Sequence, residues 1–145
     1  MNKIRPCLWF DGKAEEAAKF YGTIFQDSKI ISSNPIVTFF TLAGQEFMGL
    51  NGGPKFPFTE AVSFMVYCET QAELDEKWDK LIAGGGRPVE CGWLKDKYGL
   101  SWQIVPAQLE RLLMSGDKAS NERVMAAVMK MTKLDIATLE AAARG

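Results

Sequence analysis

Hydrophobic positions along the chain recur with two periods, and each change of period marks an element. Residues 4–10 form a dense apolar and aromatic run, as a buried strand does. From residue 13 to 25 the spacing lengthens. Ala17, Phe20, Tyr21, Ile24 and Phe25 fall at i, i+3, i+4, i+7 and i+8, one face of a helix, with Asp11 as the expected cap. Short strands are predicted over 29–33, 36–42 and 46–50, with turns at Asn34-Pro35 and Ala43-Gly44-Gln45. The stretch NGGPKFPFT, 51–59, breaks both periods and reads as a linker. The same order then returns: a strand over 61–68, a helix over 71–83 ended by Gly84-Gly85-Gly86, and strand candidates over 87–93, 97–100 and 101–105, with a tight-turn signal at Asp96-Lys97-Tyr98-Gly99. Helical character resumes over 109–114.

Residues repeat along with the order. Ala14, Glu15, Lys19, Phe20 and Ile24 return as Ala72, Glu73, Lys77, Trp78 and Ile82, all displaced by 58 positions. Gly44 and Phe47 return as Gly99 and Trp102, displaced by 55. Two tandem βαβββ modules follow. One such sheet cannot bury both of its faces alone, so two are expected to pair. The predicted class is α+β: a first module over 1–51, a linker over 52–60, a second module over 61–106 and a helical tail over 107–145, one structural domain overall. In the tail, Val124, Val128 and Met131 share a face, as do Leu139 and Ala142 or Ala143, with Ser120 and Asp135 as expected caps. Met114, Met125, Met129 and Met131 read as core or subunit-contact filler.

With 145 residues, 47% of them apolar, the chain can bury a core. Its net charge of −1 without a basic stripe argues against nucleic acid and anionic membranes as partners. No signal-peptide pattern or membrane-spanning run occurs. Cys7, Cys68 and Cys91 form no CxxC pair and read as reduced thiols of a cytoplasmic protein. There is no histidine, so no nucleophile can rely on a histidine base. Glu90 beside Cys91 disfavours a reactive thiolate there. Glu46 and Glu90 would act as general bases only if buried. The run Lys95-Asp96-Lys97 reads as a solvated turn. Trp9 and Trp102 read as core.

Four segments carry a family resemblance: LWFDGKAEEAAKFY (8–21), FMGLNGGPKF (47–56), AVSFMVYCET (61–70) and GWLKDKYGLSWQIVP (92–106). They resemble the PhnB-like branch of the glyoxalase–bleomycin resistance, or vicinal-oxygen-chelate, superfamily, many members of which carry the label 3-demethylubiquinone-9 3-methyltransferase. The resemblance implies sheets curled around a cavity and a homodimer. The connection between the second and third strands is shorter here than is typical of the family. In metal-dependent relatives four cavity positions hold a divalent ion, and the resemblance implies that these are Pro6, Met48, Ser63 or Phe64, and Gln103. None is a good ligand for a hard cation, so no metal and no cofactor is expected. The methyltransferase label meets no matching motif. Gly84-Gly85-Gly86 follows a helix, whereas a nucleotide-binding glycine turn follows a strand.

Alternation places Pro6, Leu8 and Phe10 on one face, as it does Ser63, Met65 and Tyr67, and Ser101, Gln103 and Val105. Facing inward, and joined by Met48 and Trp93, they would form an apolar cup with a few polar groups, suited to a small-molecule ligand. The candidate pocket is therefore Pro6, Leu8, Phe10, Met48, Ser63, Met65, Tyr67, Trp93, Ser101 and Gln103. Three functions remain open. One is metal-free binding of a small molecule. A second is an enzyme using the pocket without metal, the labelled methyl transfer included. The third is a dimeric structural module with a vestigial pocket.

Overall fold

A computed structural model describes residues 2–145 of the chain. The order is β1 (Cys7–Phe10), α1 (Ala14–Gly22), β2 (Lys29–Ser33), β3 (Val37–Leu42), β4 (Gln45–Asn51), then β5 (Ser63–Cys68), α2 (Gln71–Ile82), β6 (Arg87–Pro88), β7 (Trp93–Lys95), β8 (Ser101–Pro106) and the tail helices α3 (Ala107–Ser115), α4 (Lys118–Met129) and α5 (Ile136–Arg144). The strands form two four-stranded sheets, β1-β4-β3-β2 and β5-β8-β7-β6. In each, the first strand of the module runs parallel to the last and the other pairs are antiparallel. The chain divides into two units, one ending at Phe58 and the other spanning Thr59–Gly145.

In the first unit, period-2 alternation separates the sheet faces. Leu8, Phe10, Thr38, Phe40, Leu42 and Phe47 are buried on the face that packs against Ala14, Ala17, Ala18 and Tyr21 of α1. The helix is capped from a distance. Asp11 does not cap it. Instead the Ala14 N–H donates to Asn51 Oδ1 at 2.8 Å, and Asn51 Nδ2 donates to the Pro35 carbonyl. Residues 52–58 belong to this unit and clasp β1. Trp9 Nε1 donates to the Gly53 carbonyl at 2.8 Å, Phe56 meets the Trp9 ring edge-on at 4.9 Å, and Phe58 meets Phe10 at 5.4 Å. Glycine at 52 permits this closure, since a Cβ there would lie 2.3 Å from the Trp9 ring.

In the second unit α2 covers Cys68, Leu94, Trp102 and Ile104 with Leu74, Trp78 and Leu81. Thr70 caps it by accepting from the Glu73 N–H, and Glu73 accepts in turn from the Glu69 N–H. The expected strand over 97–100 is instead the turn that joins β7 to β8. Asp96 organises it and is only 3% exposed, so the run Lys95-Asp96-Lys97 is not a solvated turn. Its carboxylate accepts from the Tyr98 N–H, the Leu100 N–H and Trp102 Nε1 at 2.8, 3.1 and 2.9 Å. The tail is built into this unit. Leu134 is buried beside Gly92, where any Cβ would meet it at 3.0 Å, and the Gln71 side chain bridges the Leu134 carbonyl and the Ile136 N–H. Asp135 caps α5 as expected. Asp117, not Ser120, caps α4, and the Ser120 hydroxyl donates to the Ala143 carbonyl. Among the described residues no helix is long and apolar enough to cross a membrane.

Candidate functional site

Each sheet has a second face, turned away from its own helix, where polar and half-buried side chains gather. On the second sheet the register builds this face in rows. Met65, Gln103 and Trp93 lie side by side across β5, β8 and β7, and the row before it holds Ser63, Ser101 and Lys95. Tyr67 and Val105 form the row beyond. Gln103 Nε2 donates to Ser63 Oγ at 2.9 Å, which fixes the amide on the diagonal between the two rows. The Ser101 hydroxyl is buried and has no hydrogen-bond partner. Met65 and Tyr67 are each 46% exposed, and Trp93 is half-buried. The Tyr67 hydroxyl donates to Glu110 Oε1 at 2.7 Å; that bond holds the phenol in its protonated form and raises its pKa above the ordinary value. Lys95 pairs with Glu60, and their hydrogen bond lowers the Glu60 pKa.

The first sheet repeats the arrangement with different side chains. Cys7, Met48 and Phe39 form the row equivalent to Met65, Gln103 and Trp93. Ahead of it, Arg5 Nη2 donates to Glu46 Oε2 at 3.1 Å, and the guanidinium lies 5.1 Å from the Phe39 ring centroid. Desolvation raises the Cys7 thiol pKa above its ordinary value, so the thiolate is disfavoured there.

Of the residues expected to line one pocket, Ser63, Met65, Tyr67, Trp93, Ser101 and Gln103 share one face of the second sheet. Met48 sits on the corresponding face of the first sheet. Leu8 and Phe10 do not join it. They are 5% and 3% exposed on the side that α1 covers, where they are core. Pro6 precedes β1, and its carbonyl accepts from the Met48 N–H while Cys7 takes the place opposite Met48. Cys7, and not Pro6, is thus the register partner of Met48. On β5, the register partner of Gln103 is Met65, with Ser63 in reach through its hydroxyl. The Arg5–Glu46 pair was not anticipated. Its signal was available in the repeat, since Arg5 and Glu46 stand where Ser63 and Ser101 stand in the second module.

The donor chemistry of these faces does not suit a hard divalent ion. Thiol, thioether, amide and aromatic groups fill the central row of each face, and the carboxylate of Glu46, one row away on the first sheet, is paired with Arg5. Among the described residues no three histidine, cysteine or carboxylate side chains are placed to hold a metal.

The model of the family described as 3-demethylubiquinone-9 3-methyltransferase matches residues 2–105, so α3–α5 lie beyond the matched region. A PhnB protein from Bacillus cereus is 39% identical, with 73% of this chain and 100% of that chain aligned and a TM-score of 0.66. The protein PA1353 from Pseudomonas aeruginosa is 18% identical over 73% of this chain and 98% of its own, with a TM-score of 0.58. A fosfomycin resistance protein, FosX, from Listeria monocytogenes, solved with Mn(II) and sulfate, is 18% identical over 78% of this chain and 96% of its own, with a TM-score of 0.58. No curated protein matches the sequence.

Proposed function

This chain belongs to the 3-demethylubiquinone-9 3-methyltransferase family, the PhnB-like branch of the vicinal-oxygen-chelate superfamily, and on that premise we propose that it binds a small molecule without a metal, on the open face of the second sheet. The observation that carries the reading is the row Met65–Gln103–Trp93 with the Gln103–Ser63 hydrogen bond at its centre. An aromatic ring and a thioether flank an oriented amide, the mixture of apolar wall and few fixed polar groups that small-molecule sites use. The FosX neighbour was solved with Mn(II) and sulfate; in this chain the rows Cys7–Met48–Phe39 and Met65–Gln103–Trp93 offer only soft or neutral donors, and no metal-dependent step is derived. Methyl transfer from a nucleotide-type cofactor would call for a glycine turn leading from a strand into a helix, and Gly84-Gly85-Gly86 leads from α2 into β6.

The reading includes a homodimer in the cytoplasm, where the three free cysteines stay reduced. Native mass spectrometry of untagged protein, purified without chelator or added metal, tests it. The expected species is a dimer carrying a reproducible organic adduct, lost from the Trp93→Ala and Gln103→Leu variants. Stoichiometric divalent metal, or a bare dimer that yields no adduct after exposure to cell extract, overturns it.

A further inference from the structure

The first sheet carries a cleft of 340 Å³ between the bulged strand β2 and the Arg5–Glu46 pair, lined by Ile31, Ser32, Phe39 and Thr41. The bulge between Ile30 and Ser32 shifts the register of β2 on β3 at the cleft wall. Its volume lies at the small end of ligand cavities. Ile31 and Phe39 give it apolar sides, and one ion pair supplies its charge.

That pair is only partly engaged. Among the described residues Arg5 makes a single hydrogen bond, through Nη2, which leaves Nη1 as the unused donor toward the cleft, while its Nε is closed off from solvent with no acceptor. A guanidinium has five N–H groups, and a buried donor without an acceptor is costly. Glu46 uses Oε2 on Arg5, leaving Oε1 to accept another bond. Both side chains are 27% exposed, so each can still be reached. The cleft thus presents an unused donor and an unused acceptor next to each other, with formal charges that cancel.

We propose that this cleft is a binding site for neutral, flat molecules with a carboxamide or lactam edge. The ligand carbonyl accepts from Arg5, which rotates about its terminal bonds to meet it. The ligand N–H donates to Glu46 Oε1, and the ring lies against Ile31 and Phe39. Charge decides the class. A carboxylate would have to share Arg5 with the Glu46 carboxylate a few ångströms away, and like charges at that range repel. A cation would meet Arg5. A neutral group that both donates and accepts opposes neither. The second sheet has serines at the equivalent positions, so this site stands whether or not that face takes a ligand.

Nitrogen-15 correlation spectra of the full-length protein, titrated with benzamide and with benzoate, provide the test. Benzamide is expected to shift the amides of Ile31, Ser32, Phe39, Thr41 and Glu46 saturably, with benzoate at least about tenfold weaker, which is about 1.4 kcal/mol. Glu46→Gln removes the repelling charge and is expected to reverse that order, while Arg5→Leu abolishes both responses in a spectrum that remains dispersed. Tighter binding of benzoate to the wild type, no saturable shift, shifts confined to the Gln103 and Trp93 rows, or an unchanged preference in Glu46→Gln overturns the proposal.

Discussion

The two sheets share a backbone plan and differ in where each places its charge. On the first, Arg5 and Glu46 bridge the first and last strands of the module, and β3 contributes the hydroxyl of Thr41. On the second, Ser63 and Ser101 occupy the bridging places, and the cation has moved to β7 as Lys95, paired with Glu60. The helix-covered sides diverge as well. Phe40 and Phe47 stack at 5.4 Å in the first unit, where Leu94 and Trp102 stand in the second, with the Trp102 indole tied to buried Asp96. A duplicated framework fixes which positions face which way and leaves their chemistry free. The open rows hold an ion pair beside a cleft in one unit and an amide bound to a serine hydroxyl in the other.

The largest expected break in this comparison lies at Asp96. Its carboxylate satisfies three N–H groups inside the second unit, one of them from the core indole. Asp96→Ala is expected to cost about 3–5 kcal/mol, because buried donors are left without an acceptor. Thr41, at the corresponding end of β3 in the first unit, accepts only a long 3.3 Å bond from the Lys29 N–H, and Thr41→Ala is expected to cost under about 1 kcal/mol. Urea unfolding followed by circular dichroism gives both values. Equal costs would mean that the second unit does not depend on its polar turn.

A smaller difference separates the helix caps. Asn51 closes α1 from β4 with two hydrogen bonds, to the Ala14 N–H and the Pro35 carbonyl, so it joins helix, strand and the β2–β3 turn. Thr70 caps α2 through its immediate neighbours. Asn51→Ala is expected to destabilise by about 2 kcal/mol and Thr70→Ala by about 1 kcal/mol, the upper and middle of the range for lost caps. The same denaturation experiment ranks them, and the reverse order would mean that the remote cap is incidental.

The sequence carried the order of elements because period changes and the residue repeat report backbone plan directly. The elements of both modules stand in the expected order, save that the strand expected over 97–100 is a turn and the middle strand is Trp93–Lys95. It carried the open face of the second sheet for a specific reason. Ser63, Ser101 and Gln103 are polar while their strand neighbours Phe64, Trp102 and Ile104 are not, so alternation there distinguishes the two faces. In β1 every residue from Cys7 to Phe10 is apolar or aromatic. Alternation then says which residues share a face but not which face the helix takes, and Leu8 and Phe10 lie under α1. Pro6 lies just ahead of β1, where a one-residue offset leaves no mark on the apolar pattern. The spacing of 58 pairs Pro6 with Phe64, itself a candidate for the third position, so the repeat carries the same one-residue ambiguity and only the strand register sets Cys7 opposite Met48 and Met65 opposite Gln103. Asp96 was hidden by its two lysine neighbours, which look solvated, and the indole that buries it lies six positions further on.

The smallest expected effect separates two thiols that the same repeat places on opposite faces. Cys7 stands where the second module has Met65, on the open side, and is exposed; Cys68 stands where the first has Phe10, under α2, and is fully buried. Burial, with Glu73 nearby, pushes the Cys68 thiol up to about 12. A group whose pKa rises on folding adds stability that is complete below its unfolded value and is lost as pH climbs toward the folded one. Cys68 therefore leaves stability unchanged at neutral pH and erodes it between about pH 9 and about pH 12, as the unfolded thiol ionises and the folded one resists. A Cys68→Ala variant is expected to lose some stability at every pH through the missing sulfur, but to show a shallower alkaline decline than the wild type. Disulfide-exchange labelling at pH 8 adds the kinetic side: Cys7 reacts in the folded protein and Cys68 only on unfolding. Labelling of Cys68 at the rate of Cys7 would mean that α2 opens readily from its sheet, and that the helix-covered face of the second unit is less closed than its counterpart under α1.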